Sequence, residues 1–150
     1  MQLSPIEKLT VDNLHELEEI GNEFTSEVNY LLGKFDISEF VKIWGPVIGS
    51  GVGEVFVIRD GNRIAAALGS AFVPDAFSGR LTACEQWWYA HKEYRGAGIA
   101  CRLFDAFESE SAKRGCKKII MAHLITPQAE KLEALYTRRG YKALEKTFGK

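Results

Sequence analysis

The hydrophobic period of the chain changes at Gly53, and that change decides which architectures remain open. Before it, Leu14, Leu17, Phe24, Val28 and Leu31 recur at spacings near three and four, while Glu16, Glu19, Glu23 and Glu27 occupy other faces. This predicts a helical run from Val11 to Leu32, preceded by a short strand at Ile6–Leu9, with Gly21 and Gly33 bending or ending the helix. A second helix is expected from Ser38 to Trp44, broken by Gly45-Pro46. After Gly53 the apolar residues run together. Val55-Phe56-Val57-Ile58 reads as a strand, Arg59-Asp60-Gly61-Asn62 as a hairpin turn, and Arg63 to Val73 as the returning strand. Pro74–Gly79 is a loop and Leu81–Ala90 a third strand, rich in aromatics. Then come a helix at Gly98–Arg114, a strand at Lys118–Leu124, a helix at Gln128–Arg139 and a last strand at Tyr141–Phe148. That order implies an α/β (α+β) chain, with helices on both faces of a mixed sheet.

Composition narrows the function. With 150 residues, 46% of them hydrophobic and 26% charged, the chain is expected to form one domain over residues 1–150 with a real core. A net charge of −1 lacks the basic excess of a general nucleic-acid binder. No apolar run approaches the ~20 residues a membrane helix needs. Met1-Gln2-Leu3-Ser4-Pro5 does not resemble a secretory signal. Cys84, Cys101 and Cys116 form no CxxC pair, and His15, His91 and His123 are scattered. Neither a disulfide framework nor a metal site is expected, and the expected compartment is the cytoplasm.

The segment Tyr94-Arg95-Gly96-Ala97-Gly98-Ile99-Ala100-Cys101 lies between an aromatic strand and an amphipathic helix. A glycine turn opening a helix presents backbone N–H groups that have no intrahelical partner, at the positive end of the helix dipole. Such a turn suits a pyrophosphate. Gly96 and Gly98 let the backbone approach phosphate oxygens, and Arg95 can add a charge-assisted contact. The segment is neither a P-loop nor a dinucleotide fingerprint, because Cys101 stands where the fingerprint has its third glycine.

Arg95, Gly98 and Ala100 fill the Gln/Arg-x-x-Gly-x-Gly/Ala signature of the GNAT N-acetyltransferases, which this chain resembles. Leu135-Tyr136-Thr137-Arg138-Arg139-Gly140-Tyr141 is similar to the same family's later Tyr-x-x-x-Gly-Phe/Tyr helix end. The chain is also loosely similar to acetyltransferases encoded by phages and prophages. The resemblance implies a GNAT fold: a mostly antiparallel, twisted sheet of six to seven strands with about four helices, splayed between strands 4 and 5. It implies acetyl-coenzyme A as cosubstrate, held on Gly96, Ala97, Gly98, Ile99, Ala100 and Cys101, with its pantetheine along Trp88, Tyr89 and Ala90. Transfer would pass directly to an amine, small or on a protein, in a ternary complex. Tyr136 would protonate the departing thiolate, and Glu85 would serve as base. Where relatives have a pantetheine-binding asparagine, this chain reads Thr126-Pro127-Gln128-Ala129, which leaves that contact to Gln128 or removes it.

Strict alternation puts Glu85, Trp87 and Tyr89 on one face of their strand and Gln86, Trp88 and Ala90 on the other, and a bulge would shift that parity. Residues 1 to 40 carry 2 basic and 9 acidic side chains, a charge of −7, and residues 81 to 150 carry 13 and 8, a charge of +5. That asymmetry fits a cationic acceptor opposite a polyanionic cofactor, or simply a solvated acidic helix face. A homodimer is a further expectation; neither nucleic acid nor a membrane is. Other readings of the same loop are a non-catalytic coenzyme A sensor or interaction module, and a site for a different phosphate ligand.

Overall fold

The computed structural model describes residues 1–28 and 33–150. In chain order these form β1 (Glu7–Lys8), a 3-10 helix (Val11–Leu17), α1 (Glu18–Glu27), α2 (Ile37–Gly49), β2 (Gly53–Asp60), β3 (Arg63–Pro74) and β4 (Leu81–Ala90). A 3-10 turn (Lys92–Tyr94), α3 (Ile99–Lys113), β5 (Lys118–Ile120) and α4 (Ala129–Arg138) follow. The chain divides into two compact units, Met1–Ile120 and Met121–Lys150.

The first unit holds one mixed sheet in the order β1-β2-β3-β4-β5. The first four strands pair antiparallel, and β5 runs parallel to β4. Gly61, at φ +59, supplies the left-handed residue that closes the β2–β3 hairpin. Side chains alternate across the sheet. Val55, Val57, Ala67 and Tyr89 point to a core shared with Leu14, Leu17, Ile20 and Trp44 from the helical N-terminal segments. The opposite face meets α3, whose Ile99, Leu103, Phe104 and Phe107 form a buried stripe at helical spacing. There Phe72 packs on Phe107 with ring centroids 6.3 Å apart, and Trp88 on Phe104 at 5.7 Å.

Much of the acidic surplus of the N-terminal segments is matched by basic side chains on the sheet and on the turn after β4. Glu7 and Glu16 bind Arg59 at 3.0 and 2.5 Å, Glu19 binds Arg63 at 2.7 Å, Glu23 binds His91, and Glu27 binds Arg95 at 2.8 Å. Apart from Glu7, which lies on β1, these carboxylates tie the helical layer to the sheet and the turn that follows β4; they do not form a merely solvated face.

Several boundaries depart from the sequence reading. The first helical run is a 3-10 helix followed by α1, which ends at Glu27 with Val28 extended. Leu31, expected on its stripe, lies outside the described residues. Gly21 does not end α1; it sits mid-helix because a Cβ there would collide with the Phe35 ring. Helix α2 continues through Gly45-Pro46 to Gly49. The proline forfeits one helical hydrogen bond, but Ser50 N still bonds to Pro46 O at 2.9 Å. Strand β5 stops at Ile120 instead of Leu124, and Tyr141–Phe148 is not a strand. With five strands, the sheet is smaller than the six to seven expected.

In the second unit, α4 carries the buried Tyr136, whose hydroxyl donates to the carbonyl of Ala122 at 2.8 Å. Its ring lies 6.4 Å from that of His123 and 6.2 Å from that of Tyr141. No helix among the described residues is long and apolar enough to cross a membrane.

Candidate active site

The site is organised by an irregularity in β4. Ser70 pairs with Glu85 and Gly69 with Trp87, so Gln86 is an extra residue in the ladder. Such a bulge bends its strand and resets the alternation beyond it. The expected parity is therefore corrected. Glu85 shares the α3 face with Trp88 and Ala90, whereas Trp87 and Tyr89 point toward α1 and α2. The parallel β4–β5 pairing ends at Cys84↔Ile120, just before the bulge, while β4 runs on to Ala90. The pairing of strands 4 and 5 thus covers only the first part of β4.

Beyond β4 the chain makes the 3-10 turn and enters the glycine loop. Gly96 and Gly98 adopt φ values of +89 and +71, which side chains other than glycine rarely tolerate. Gly98 is the N-cap of α3, with no side-chain cap. The first helical bond runs from Arg102 N to Gly98 O, at 3.1 Å. The amides of Ile99, Ala100 and Cys101 therefore lack an intrahelical partner. Gly96, Ala97 and Gly98 are exposed, and a Cβ at either glycine would meet no atom within 4 Å. The result is an open cradle of backbone donors at the positive end of a helix, built to receive an anion.

Arg95 does not reach into that cradle as expected. Its guanidinium binds both carboxylate oxygens of Glu27, its Nε donates to Ala90 O at 3.1 Å, and it lies 5.0 Å over the Tyr89 ring. The Tyr89 hydroxyl donates its proton to Glu27 at 2.5 Å, with a Glu23 oxygen 3.1 Å away. Burial and the Glu27 carboxylate push its pKa well above the ordinary phenol range. Glu23 also accepts from the Lys92 amide at 3.1 Å and binds Nδ1 of the buried His91. Burial alone would raise the Glu23 pKa, but the hydrogen bonds from His91, the Lys92 amide and Tyr89 outweigh it and hold the carboxyl below its usual value. The Arg95 hydrogen bond does the same for Glu27.

The sequence had singled out neither Glu23, Glu27 nor His91 as site residues. The available signal was the i, i+4 spacing of Glu23 and Glu27, which sets both on one face of α1. The glycine loop, Glu85, Trp88, Tyr89 and Ala90 share the first unit; Tyr136 and Gln128 belong to the second. The Gln128 amide donates to the Thr126 hydroxyl at 3.2 Å. Among the described residues, no group of three or more His, Cys, Asp or Glu is placed to hold a metal.

A sequence model of the acetyltransferase (GNAT) family matches residues 16–141. The chain belongs to the GNAT acetyltransferase family. Its fold is the GNAT fold, an α+β architecture shared with solved structures of low sequence identity. A protein described as a predicted acetyltransferase from Clostridium acetobutylicum, solved with acetyl-CoA, superposes with a TM-score of 0.80 at 15% identity, covering 99% of this chain and 95% of that one. An aminoglycoside acetyltransferase from an uncultured soil metagenomic sample gives 0.78 at 18% identity, over 99% and 97%. A ribosomal-protein-alanine N-acetyltransferase from Brucella melitensis gives 0.77 at 15%, over 99% and 98%. No curated protein matches the sequence. GNAT acetyltransferases use acetyl-CoA and an acceptor substrate.

Proposed function

We propose that this GNAT protein is an N-acetyltransferase that carries an acetyl group from acetyl-CoA directly to an amine in a ternary complex, its two compact units acting as one acyltransferase domain. The observation that carries the reading is the uncapped N-terminus of α3, reached through two left-handed glycines, beside a strand whose pairing with its neighbour has just ended. The amides of Gly96 to Cys101 hold the pyrophosphate, and the splay beyond Cys84 and Ile120 receives the pantetheine next to Trp88, Tyr89 and Ala90. The Arg95 guanidinium supports the loop through Glu27, and so acts on the cofactor indirectly.

Acetyl-CoA supplies the thioester. The chain must take a proton from the amine and return one to the departing sulfur. We assign the second role to Tyr136, whose hydroxyl proton is held on the Ala122 carbonyl, and the first to Glu85, on the α3 face of β4. Glu7, Glu16, Glu19 and Glu27 pair with Arg59, Arg63 and Arg95, so these carboxylates lend no support to a cationic acceptor.

Calorimetry with acetyl-CoA, free CoA and ATP tests the cofactor, and thiol release over a panel of amines tests the transfer. Binding of both CoA species but not ATP is expected. Tyr136→Phe should lower kcat while leaving acetyl-CoA affinity unchanged. Failure to bind either CoA species overturns the reading, and CoA binding with no amine acetylated leaves a sensor.

A further inference from the structure

We propose that the acceptor carries an apolar ring, about the size of benzene, seated in a cavity between α1, α2 and β4. The proposal deepens the acetyl-transfer reading and rests on it. Among the described residues the cavity is walled by Phe24, Thr25, Phe35, Phe40, Trp87 and Tyr89, with smaller contributions from their neighbours, and has a volume of about 140 Å³. Apolar cavities of about 150 Å³ hold a single benzene ring and stay dry when empty.

The wall discriminates by chemistry. The hydroxyls of the wall are already used, and its indole N–H is packed against the backbone of β3. The Thr25 hydroxyl donates back to the carbonyls of Gly21 and Asn22 at 3.1 and 3.3 Å, and the Tyr89 hydroxyl is taken by Glu23 and Glu27. Nε1 of Trp87 is buried against Gly69 and has no acceptor among the described residues. A sugar ring or polyamine placed here would leave its hydroxyls or ammonium groups without partners, a desolvation cost that an aromatic or cycloalkyl ring avoids. This separates the chain from the aminoglycoside acetyltransferases whose fold it shares.

The wall is also held in place. Phe40 stacks on Trp44 at 5.9 Å and meets Trp87 edge-on at 5.7 Å, and Trp87 meets Trp44 at 5.5 Å. Gly21 and Gly69 leave the room that the Phe35 and Trp87 rings fill. Position assigns the occupant. The phosphate cradle opens α3, which covers one face of the sheet, while the cavity lies on the other face, with β4 common to both. A donor held at α3 and along β4 is met by an amine that reaches past the Gln86 bulge from the cavity, so that Glu85 on the α3 face takes its proton.

The test fills the cavity from Thr25, whose hydroxyl bonds within its own helix. Thiol release is measured for the wild type, Thr25→Leu and Thr25→Phe with 2-phenylethylamine, ethylamine and spermidine, and with acetyl-, butyryl- and hexanoyl-CoA. Calorimetry with benzyl alcohol reads ring binding without catalysis. In the wild type, kcat/KM for phenylethylamine should exceed that for ethylamine by at least about tenfold, as burial of a ring implies. That ratio should shrink in Thr25→Leu and approach unity in Thr25→Phe, with benzyl alcohol binding lost. Equal use of the three amines, preference for spermidine, or substitutions that change acyl-chain preference and not amine preference would each overturn the ring assignment. Transfer without ring preference defeats this assignment alone. Ring binding with no amine acetylated defeats the acetyl-transfer reading, and the acceptor assignment with it.

Discussion

Arg95 and Glu27 meet as a bidentate pair, Nη1 to Oε1 at 3.0 Å and Nη2 to Oε2 at 2.8 Å, and join the last turn of α1 to the entrance of the glycine loop. The pair links the helical layer that walls the apolar cavity to the segment that opens α3. It also covers the Tyr89 ring, so it is stacked as well as ion-paired. Lysine could not reproduce both contacts.

Glu27→Gln removes the charge and breaks the fork while leaving the side-chain volume almost unchanged. The pair is partly exposed, so the expected loss is about 1 kcal/mol, seen as a lower urea midpoint at unchanged m-value. Glu39→Gln is the control. Its partner Lys42 lies three residues on, both side chains are more than half exposed, and the change should stay within about 0.5 kcal/mol. Equal effects from the two substitutions would show that the Arg95 pair contributes nothing beyond an ordinary surface pair.

Acid should loosen the same region. The folded carboxyls of Glu23 and Glu27 lie below the usual Glu value of 4.5, despite burial in the first case and because of Arg95 in the second. A depressed folded pKa contributes stability that is fully present above the unfolded pKa and is lost as pH falls through the folded one. Thermal midpoints should therefore be flat at neutral pH and fall on acidification below about 4.5. The Glu23→Gln/Glu27→Gln double variant should start lower and show a shallower fall. A slope identical to wild type would place the acid sensitivity elsewhere.

Gly69 and Trp87 face each other across β3 and β4, and a Cβ on Gly69 would overlap the indole ring. Gly69→Ala should destabilise the protein by about 1–3 kcal/mol through overpacking. Trp87→Phe should relieve much of that cost, because the smaller ring vacates the contested volume. A double-mutant cycle read by calorimetry would show coupling; strictly additive effects would contradict the collision.

How much of this was legible in the chain depends on the range of the interaction. The β2–β3 hairpin and the limits of β4 and α3 follow from local signals: the Asp60-Gly61 turn, the aromatic run, and the glycines at 98 and 115 that bracket an apolar stripe. The glycine cradle was readable for the same reason, since φ beyond +20° and an uncapped helix start are properties of a few adjacent residues. The bulge at Gln86 was not. It depends on how Ser70 and Gly69 register against Glu85 and Trp87, and one inserted residue moves Glu85 to the opposite face. The Glu23–His91 and Glu27–Arg95 pairs bridge 68 positions, so sequence could count these charges but not match them. Helix α2 misled because Gly45-Pro46 is a strong local stop that is overridden by the packing of Trp44 and its neighbours in the core.

Gly98 allows conformation and function to be separated. It sits at φ +71 and caps α3, while Gly115 sits at φ +74 just past the other end of the same helix; neither has an atom within 4 Å of a built Cβ. Gly98→Ala and Gly115→Ala should therefore both cost about 1 kcal/mol, the strain of a left-handed alanine in open space. Only at Gly98 would the methyl stand among the amides proposed to hold the pyrophosphate. Acetyl-CoA affinity should fall at least about tenfold in Gly98→Ala, the scale of one or two lost charge-assisted hydrogen bonds, and stay at wild type in Gly115→Ala. Calorimetric Kd values beside thermal midpoints check both halves. Wild-type affinity in Gly98→Ala would remove the phosphate from the head of α3, and a parallel loss in Gly115→Ala would trace the effect to helix stability instead.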